Sequence, residues 1–191
     1  MRKIISKKEE AKKKRMSQVI VGVVLIFIMF FSVLGYSFSG GNESVKKIEY
    51  NGFEFIEQNS FWILEIEGMS FIFKNNPQQV EKIDGELNDL DSYYNQPLYI
   101  SSNNPEAELE IYRNLFYQNQ IVQRMQSACL ESEECEEDIP TKNCDENFII
   151  IKESNESGIM QDRNCVFIKG KQENLTQITD EFLFKILGVE E

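Results

Sequence analysis

An uninterrupted apolar segment near the N-terminus constrains this chain more than any other feature. It runs from Val19 to Phe38 and contains no charged residue. An α-helix needs about 20 apolar residues to cross the roughly 30 Å hydrocarbon layer of a membrane. We therefore predict a transmembrane helix over 19–38, a basic tail over 1–18, a linker over 39–47 and one folded domain over 48–191.

The charges on the two sides of this segment differ in sign. Residues 1–18 carry eight Lys or Arg and two Glu, which gives a net charge of +6. The whole chain has 20 basic and 32 acidic residues, so residues 19–191 hold 12 basic and 30 acidic residues, a net charge of −18. Because Lys and Arg are retained in the cytoplasm, we predict a single-pass signal-anchor with a cytoplasmic N-terminus and an extracytoplasmic C-terminal domain. Nucleic-acid binding is not expected, since it requires a basic surface.

A cleaved signal peptide is the main alternative to a retained anchor. Ser37–Ser39 offers an acceptable cleavage site of small residues. However, the apolar core of a signal peptide spans only about 7–15 residues, and the segment here is longer. The length therefore favours a helix that stays in the cell membrane.

The first part of the domain has the pattern of antiparallel hairpins rich in aromatic residues. Apolar and polar residues alternate over Ile48–Phe55 around Asn51-Gly52, a dipeptide that accepts the positive φ angles of a tight turn. Phe61–Glu67 and Met69–Phe73 flank Glu67-Gly68 in the same way. Two hairpins are predicted here.

Three helices are predicted from capping signals and apolar spacing. Asn76-Pro77 is typical of a helix start, and this helix would end near Ile83. Asn104-Pro105 begins a long helix that the apolar spacing carries to about Cys129. Thr179 would cap the last helix, with Asp180 and Glu181 in its first turn and Gly188 at its end.

Three apolar runs in the second part predict strands, at Leu98–Ser101, Phe148–Ile151 and Val166–Ile168. A strand, a long helix and a further strand between residues 98 and 151 suit a right-handed βαβ crossover with parallel strands. The predicted class is therefore α+β, with hairpins first, then the crossover, then a C-terminal helix.

All four cysteines follow the apolar segment, so they would share an oxidising compartment. An even number of cysteines there predicts disulfides, and four cysteines allow three pairings. We favour Cys129–Cys135, which would join the end of the long helix to its loop, and Cys144–Cys165, which would join the starts of two neighbouring strands.

Two other uses of the cysteines remain open. A zinc site of four thiolates is possible, although the spacing lacks the paired C-x2-C knuckles of common zinc modules. A thiol–disulfide oxidoreductase is also possible, but the acidic run 131–138 would raise the pKa of the Cys135 thiol and lower its reactivity. No metal or cofactor is predicted.

The chain has no histidine, which removes the usual general base and the commonest transition-metal ligand. No phosphate-binding glycine loop or nucleophile elbow is present either. A carboxylate pair could hydrolyse glycosides, but the sequence singles out no pair among its many acids. The acidic runs 84–91 and 131–138 do not match the calcium-binding loop of EF-hands. We name no catalytic residue.

Three sequons for N-glycosylation lie beyond the apolar segment. Their acceptor residues are Asn42, Asn155 and Asn174. An extracytoplasmic location would allow any of them to be used.

Three features of the C-terminal half occur together: a strand that runs into Ser-Asn-Asn-Pro before a helix (98–105), the run Asn164–Gly170, and the closing run Thr179–Val189. In these features it resembles uncharacterised small single-pass membrane proteins of archaea with reduced genomes. The resemblance implies an anchored extracytoplasmic α+β domain and brings no catalytic residues with it.

Together these features predict a membrane-anchored extracytoplasmic domain that is not an enzyme. Its expected role is to bind another protein of the cell envelope or to serve as an accessory subunit of an envelope complex. The alternative is an extracytoplasmic enzyme, either a redox protein that uses the cysteines or a carboxylate-dependent hydrolase.

Overall fold

A computed structural model describes residues 7–39, 46–135 and 138–190. The chain divides into two compact units, Met1–Ser44 and Val45–Glu191. The first unit contains helix α1 (Lys7–Ser39), and its stretch Arg15–Ser32 is long and apolar enough to cross a membrane. Most of the predicted linker, with Asn42, lies outside the described residues.

Four antiparallel strands form the first sheet of the second unit. They are β1 (Lys47–Tyr50), β2 (Phe53–Gln58), β3 (Phe61–Ile66) and β4 (Met69–Phe73), in that spatial order. The predicted turns at Asn51-Gly52 and Glu67-Gly68 are present, and all four residues have positive φ. A third tight turn, at Asn59-Ser60, also has positive φ at both residues. The sequence does not predict it, because serine is not a usual residue for this conformation.

The second sheet has five strands. They are β5 (Pro97–Ser102), β6 (Arg124–Ser127), β9 (Asn147–Glu153), β10 (Gly158–Asp162) and β11 (Cys165–Gly170). Their spatial order is β10-β11-β9-β5-β6, in which β10 pairs with β11 antiparallel and the other pairs are parallel. A separate two-stranded parallel pair joins β7 (Cys129–Leu130) to β8 (Thr141–Lys142).

Two helices accompany the sheets. Helix α2 (Pro105–Ile111) continues into a π-helical segment (Tyr112–Tyr117), and α3 (Leu175–Ile186) is the last helix. Short 3-10 turns occur at Leu90–Tyr93 and Gln172–Asn174. The unit is therefore mixed α+β, as predicted.

The predicted long helix to Cys129 is wrong. Its start is confirmed, since the Asn104 side chain accepts a hydrogen bond from the Ala107 N–H at the first turn. The helical segment ends at Tyr117, and Gln120 has a φ of 50°, which a helix cannot continue through. The residues that follow form β6, so the crossover is β5–α2–β6, and β9 pairs with the other side of β5.

The predicted helix from Asn76-Pro77 to Ile83 is also wrong. Asn76 caps only one turn, in which its side chain accepts from the Gln78 N–H and its carbonyl accepts from the Gln79 N–H. The chain then runs irregularly along β10, where Gly85 approaches the Ile159 carbonyl so closely that a Cβ would lie 2.7 Å from it. This path along the edge of the sheet replaces the helix.

Helix α3 lies between the two sheets. Ten of its twelve residues are buried. On one side, the Phe184 ring meets the Phe55 ring at 5.6 Å and the Phe73 ring at 4.6 Å. On the other side, Ile178 fills the space where a side chain at Gly170 of β11 would stand.

The prediction that Thr179 caps this helix is wrong. Helix α3 begins four residues earlier, at Leu175, and the Thr179 hydroxyl donates to the Leu175 carbonyl. Asp180 and Glu181 therefore lie in the middle of the helix, with 0% and 1% of their surface exposed. The predicted end is confirmed, since Gly188 follows the helix with a φ of 71°.

The second face of the five-stranded sheet is covered without a helix. A small core of Tyr99, Phe148 and Ile150 lies there, packed against Leu130 and the Cys144–Cys165 disulfide. The structure has both disulfides in the favoured pairing, Cys129–Cys135 and Cys144–Cys165. Cys129 lies in β7 and not at the end of a helix. The second disulfide joins the excursion, which is the mostly irregular segment between β6 and β9 that contains β7 and β8, to β11.

Two asparagine side chains cover the free edge of β4. Asn114 accepts from the Ile72 N–H at 2.7 Å and donates to the Ile72 carbonyl at 2.8 Å. Asn119 makes the same pair of bonds with Ser70, at 3.2 and 3.0 Å. The amides thus replace a neighbouring strand at two alternate residues.

We expect the two disulfides to differ in their resistance to reduction. Cys165 is fully buried and Cys144 is 7% exposed, whereas Cys129 and Cys135 are both half-buried. Mild reductant under native conditions should therefore open Cys129–Cys135 first, as measured by alkylation and peptide mass. Alkylation of Cys144 and Cys165 first would contradict this order.

Asn114→Ala is expected to lower the free energy of unfolding by about 2 kcal/mol, because it removes a fully buried amide and leaves the Ile72 N–H and carbonyl at the edge of β4 without their partners. Asn119→Ala is the matched control, with the same bonds at a half-buried position and a smaller expected loss. Denaturant unfolding of both variants checks this, and equal losses would argue against the role of burial.

Candidate functional site

A stripe of apolar side chains is exposed on the outer side of α2 and the π-helical segment. This aromatic stripe consists of Leu109, Tyr112, Phe116 and Tyr117. Leu109, Tyr112 and Tyr117 are 49%, 38% and 68% exposed, and Phe116 is half-buried. The Tyr112 ring lies 5.5 Å from the Phe116 ring and 6.1 Å from the Tyr117 ring.

The π-helical geometry produces this surface. In a π-helical turn, each N–H bonds to the carbonyl of the fifth residue back, as the Gln118 N–H does to the Arg113 carbonyl at 2.9 Å. The turn is therefore wider than an α-helical one, and residues five apart lie on the same side. Tyr112 and Tyr117 can therefore stack outward. The same wider turn points Asn114 inward, where it covers β4. Single π turns inside helices occur often at functional sites.

Arg113 links the stripe to the protein interior. Its guanidinium lies 4.8 Å from the centre of the Phe61 ring, and one of its nitrogens donates to both Glu110 carboxylate oxygens, at 3.0 and 3.1 Å. Exposed aromatic residues beside an arginine are the combination most enriched at the centre of protein interfaces. The buried carboxylate of Glu110 therefore fixes the position of the arginine side chain.

That acid belongs to a buried carboxyl pair. Glu110 is 2% exposed, and its carboxyl lies next to that of Asp180 of α3. Burial, and then the negative charge of Glu110, raise the pKa of Asp180 well above its usual range. Burial also raises the pKa of Glu110, against the opposing effect of Arg113. The Asp180 Oδ1 atom is buried without a hydrogen-bond partner among the described residues, and a proton between the two carboxyls would satisfy it.

The second oxygen of Asp180 accepts from the backbone and side-chain nitrogens of Asn75, at 2.9 and 2.8 Å. Asp180 therefore bonds α3 to the end of the first sheet, and its carboxyl lies beside Glu110 of α2. A hydrolase would need these carboxyls in contact with substrate, and in this arrangement both are shielded from solvent.

A second acidic cluster lies one residue further along α3. Glu181 accepts from the Ile83 N–H at 3.4 Å, and its other carboxylate oxygen is buried without a partner among the described residues. Burial, and then the charge of Glu190, raise the pKa of Glu181 to about 7. Glu190 itself accepts from the Tyr50 hydroxyl at 2.5 Å and pairs with Lys82 at 3.0 Å.

Two open depressions occur on the surface of the second unit. One, of about 450 Å³, lies between the segment 81–84 and β10. The other, of about 350 Å³, lies beside Cys144 and Arg163. Neither is lined by the buried carboxyl pair or by the aromatic stripe. Neither brings together a set of groups that we can assign to a reaction.

All four cysteines are in disulfides in this structure. Each sulfur is bonded to another sulfur and none is free, so no thiolate is present to hold zinc. Among the described residues, no group of three or more cysteine or acidic side chains is placed to hold a metal ion. Glu136 and Glu137 of the acidic run lie outside this description.

The sequons differ in accessibility. Asn155 lies exposed in the turn between β9 and β10, with Ser157 exposed beside it. Asn174 is half-buried at the start of α3, and the hydroxyl residue of its sequon, Thr176, is 7% exposed. Asn155 is therefore the better placed acceptor in the folded chain.

The aromatic stripe could not be recognised from the sequence. The predicted α-helix has its apolar face at Leu115, Val122 and Met125, and its regular spacing places Tyr112 and Tyr117 on different sides. The buried pair could not be recognised either, since the capping signal places Asp180 in an exposed first turn. No protein-family model, curated protein or solved structure matches this chain.

Glu181→Gln is expected to flatten the dependence of stability on pH. The folded state holds a proton up to about pH 7 that the unfolded state releases near its usual pKa of 4.5, so wild-type stability falls as pH rises between these values. The variant should lack the part of this fall that Glu181 causes, while Asp180 and Glu110 keep theirs, and it should be more stable than wild type at pH 7. Unfolding measured from pH 4 to 8 checks this, with exposed Glu65→Gln as control. An unchanged slope in Glu181→Gln would contradict it.

Proposed function

We propose that this chain is a membrane-anchored extracytoplasmic protein, of the kind that the archaeal resemblance implies, and that its domain binds another protein of the envelope through the aromatic stripe. The stripe carries this proposal. It is an exposed group of large side chains, three of them at least 38% exposed, on an otherwise strongly acidic domain. Exposed apolar groups surrounded by polar residues mark interaction surfaces.

The placement rests on three observations. Helix α1 has an apolar stretch of suitable length, and eight basic residues lie before Val19. Both disulfides are in the part of the chain that follows it, which fits an oxidising compartment. The basic tail favours the cytoplasm under the positive-inside rule. These observations support a single-pass anchor with the domain outside.

The stripe suits a protein partner because its anchors are rigid. Tyr112 is packed between two aromatic rings, and Arg113 is fixed by Phe61 and Glu110. Little conformational entropy is therefore lost when a partner covers these side chains. Tyrosine also offers a hydroxyl to a partner at the rim, where water remains.

The experiment compares capture of membrane proteins by the full chain and by a double variant. Tyr112→Ser with Tyr117→Ser should reduce the capture of specific partners by about tenfold or more, because two aromatic anchors are removed. Both side chains are exposed, so the melting temperature should change little.

Met160→Ser is the matched control, since Met160 is 55% exposed and lies on β10, outside the stripe. It should capture the same partners as wild type. An equal loss in both variants, or no enrichment over an unrelated acidic membrane protein, would overturn the proposal.

A further inference from the structure

Strand β1 forms an edge of the first sheet, and its outward side has free backbone groups. Strand β1 pairs with β2 only on its other side, where the opposite residues are Tyr50 and Phe53, Glu49 and Glu54, Ile48 and Phe55, and Lys47 and Ile56. In an antiparallel ladder, alternate residues bond to the partner strand. The Glu57 N–H bonds to the Lys46 carbonyl at 2.8 Å, so the N–H and carbonyl groups of Lys47 and Glu49 point away from β2.

Two other edges of the two sheets, those of β4 and β10, are covered. The two asparagine side chains occupy the edge of β4. Along β10, Gly85 lies against the Ile159 carbonyl, and the Asn88 N–H donates to the Gln161 side chain at 2.8 Å. Within the described ranges, no comparable group bonds to the outward backbone of Lys47 or Glu49.

The sequence of β1 is complementary to itself when two copies run antiparallel. With the twofold axis at Ile48, Lys47 of each copy lies opposite Glu49 of the other. These residues have the free N–H and carbonyl groups, so the pair forms with correct ladder geometry. We infer that β1 pairs with β1 of a second copy of this chain and joins two first sheets into one.

The charges of β1 favour this partner. Lys47 and Glu49 are exposed on the outer side of the sheet. Glu49 lies directly opposite Glu54 of β2, an unfavourable pairing, and Lys47 reaches across to Glu54 at 2.9 Å. A second copy would bring its own Lys47 beside Glu49. Opposite charges at such positions stabilise a strand pair, and like charges destabilise it.

Ile48 adds an apolar contact at the centre. Its side chain points to the inner side of the sheet, is half-buried and packs against the main core. In the paired sheet, Ile48 lies opposite Ile48 of the second copy at a position without ladder hydrogen bonds, where side chains come closest. The exposed part of each isoleucine would then be covered.

A pairing over so few residues is weak for molecules free in solution. It becomes effective when both copies are held in one membrane, because tethering raises their local concentration. This last step rests on the membrane anchor of the proposed function, whereas the pairing itself does not depend on the aromatic stripe.

The first experiment uses the full chain with Ile48→Cys in lipid vesicles under mild oxidation. The native cysteines are all in disulfides, so the new thiol is the only one available. Directly opposite residues of this type have Cα atoms about 4.5 Å apart, which a disulfide can span. A covalent dimer should form several-fold more than with Glu54→Cys, an exposed control on the neighbouring strand. Equal yields would overturn the inference.

The second experiment tests the charges by energy transfer between labelled copies in vesicles. Lys47→Glu alone and Glu49→Lys alone should each weaken the self-association about tenfold, since like charges replace both ion pairs. A mixture of the two variants should restore it, because each opposed pair of positions 47 and 49 then joins an acidic side chain to a basic one. The Tyr112→Ser/Tyr117→Ser variant should associate as wild type does.

Failure of the mixture to restore association would overturn the inference, as would single variants that associate like wild type. In that case Lys47 would be a charge that protects the edge from pairing. Loss of association in the tyrosine variant alone would assign the contact between copies to the aromatic stripe and would likewise overturn the inference.

Discussion

The burial of α3 between two sheets is the constraint on which the rest of the second unit depends. A helix that is covered on both sides must be apolar nearly all round, and ten of its twelve residues are buried. Two of these, Asp180 and Glu181, are acids, and an isolated buried carboxylate is costly. Asp180 accepts from Asn75 and Glu181 accepts from Ile83, and burial raises the pKa of both acids. These bonds connect α3 to the end of the first sheet and to the segment before β5.

The same network positions the surface that we propose as functional. Asp180 lies beside Glu110, Glu110 accepts a hydrogen bond from Arg113, and Arg113 lies over Phe61 beside the aromatic stripe. The π-helical segment adds a second connection, because it points Asn114 to β4 and Tyr112 to solvent. The exposed tyrosines are therefore presented by a rigid base. Their arrangement depends on the core and not on a loop.

The two faces of the five-stranded sheet are covered in different ways. One face packs against α3, and the other packs against the excursion that contains β7 and β8. An irregular segment buries less apolar surface than a helix would, so it needs other support. The disulfide from Cys144 to Cys165 provides it by fixing the end of the excursion to β11. This use of disulfides agrees with the oxidising compartment that we propose for the unit.

The errors in the predicted elements have a common cause. Gln118, Asn119 and Gln120 interrupt the apolar spacing for only one turn, so the spacing alone favours a helix that continues past them. In the structure the helix ends there, because Asn119 is needed at Ser70 of β4 and Gln120 adopts a positive φ. Similarly, Thr179 has the composition of a cap, yet its hydroxyl bonds within the helix. At Asn119 a tertiary contact, which has no local signal, overrides the local preference, and at Thr179 the burial of α3, which begins earlier at Leu175, does so.

Local patterns by themselves determined the apolar segment and its basic flank, the turns at Asn51-Gly52 and Glu67-Gly68, the start of α2 at Asn104-Pro105, the buried strands and the end of α3 at Gly188. Each of these depends on residues that are neighbours in the chain. Only the tertiary structure decided the burial of Asp180 and Glu181, the covering of β4, the exposure of the aromatic stripe and the free edge of β1. Each of these depends on residues that are distant in sequence, because burial and hydrogen-bond satisfaction are properties of the packed chain and not of any one segment.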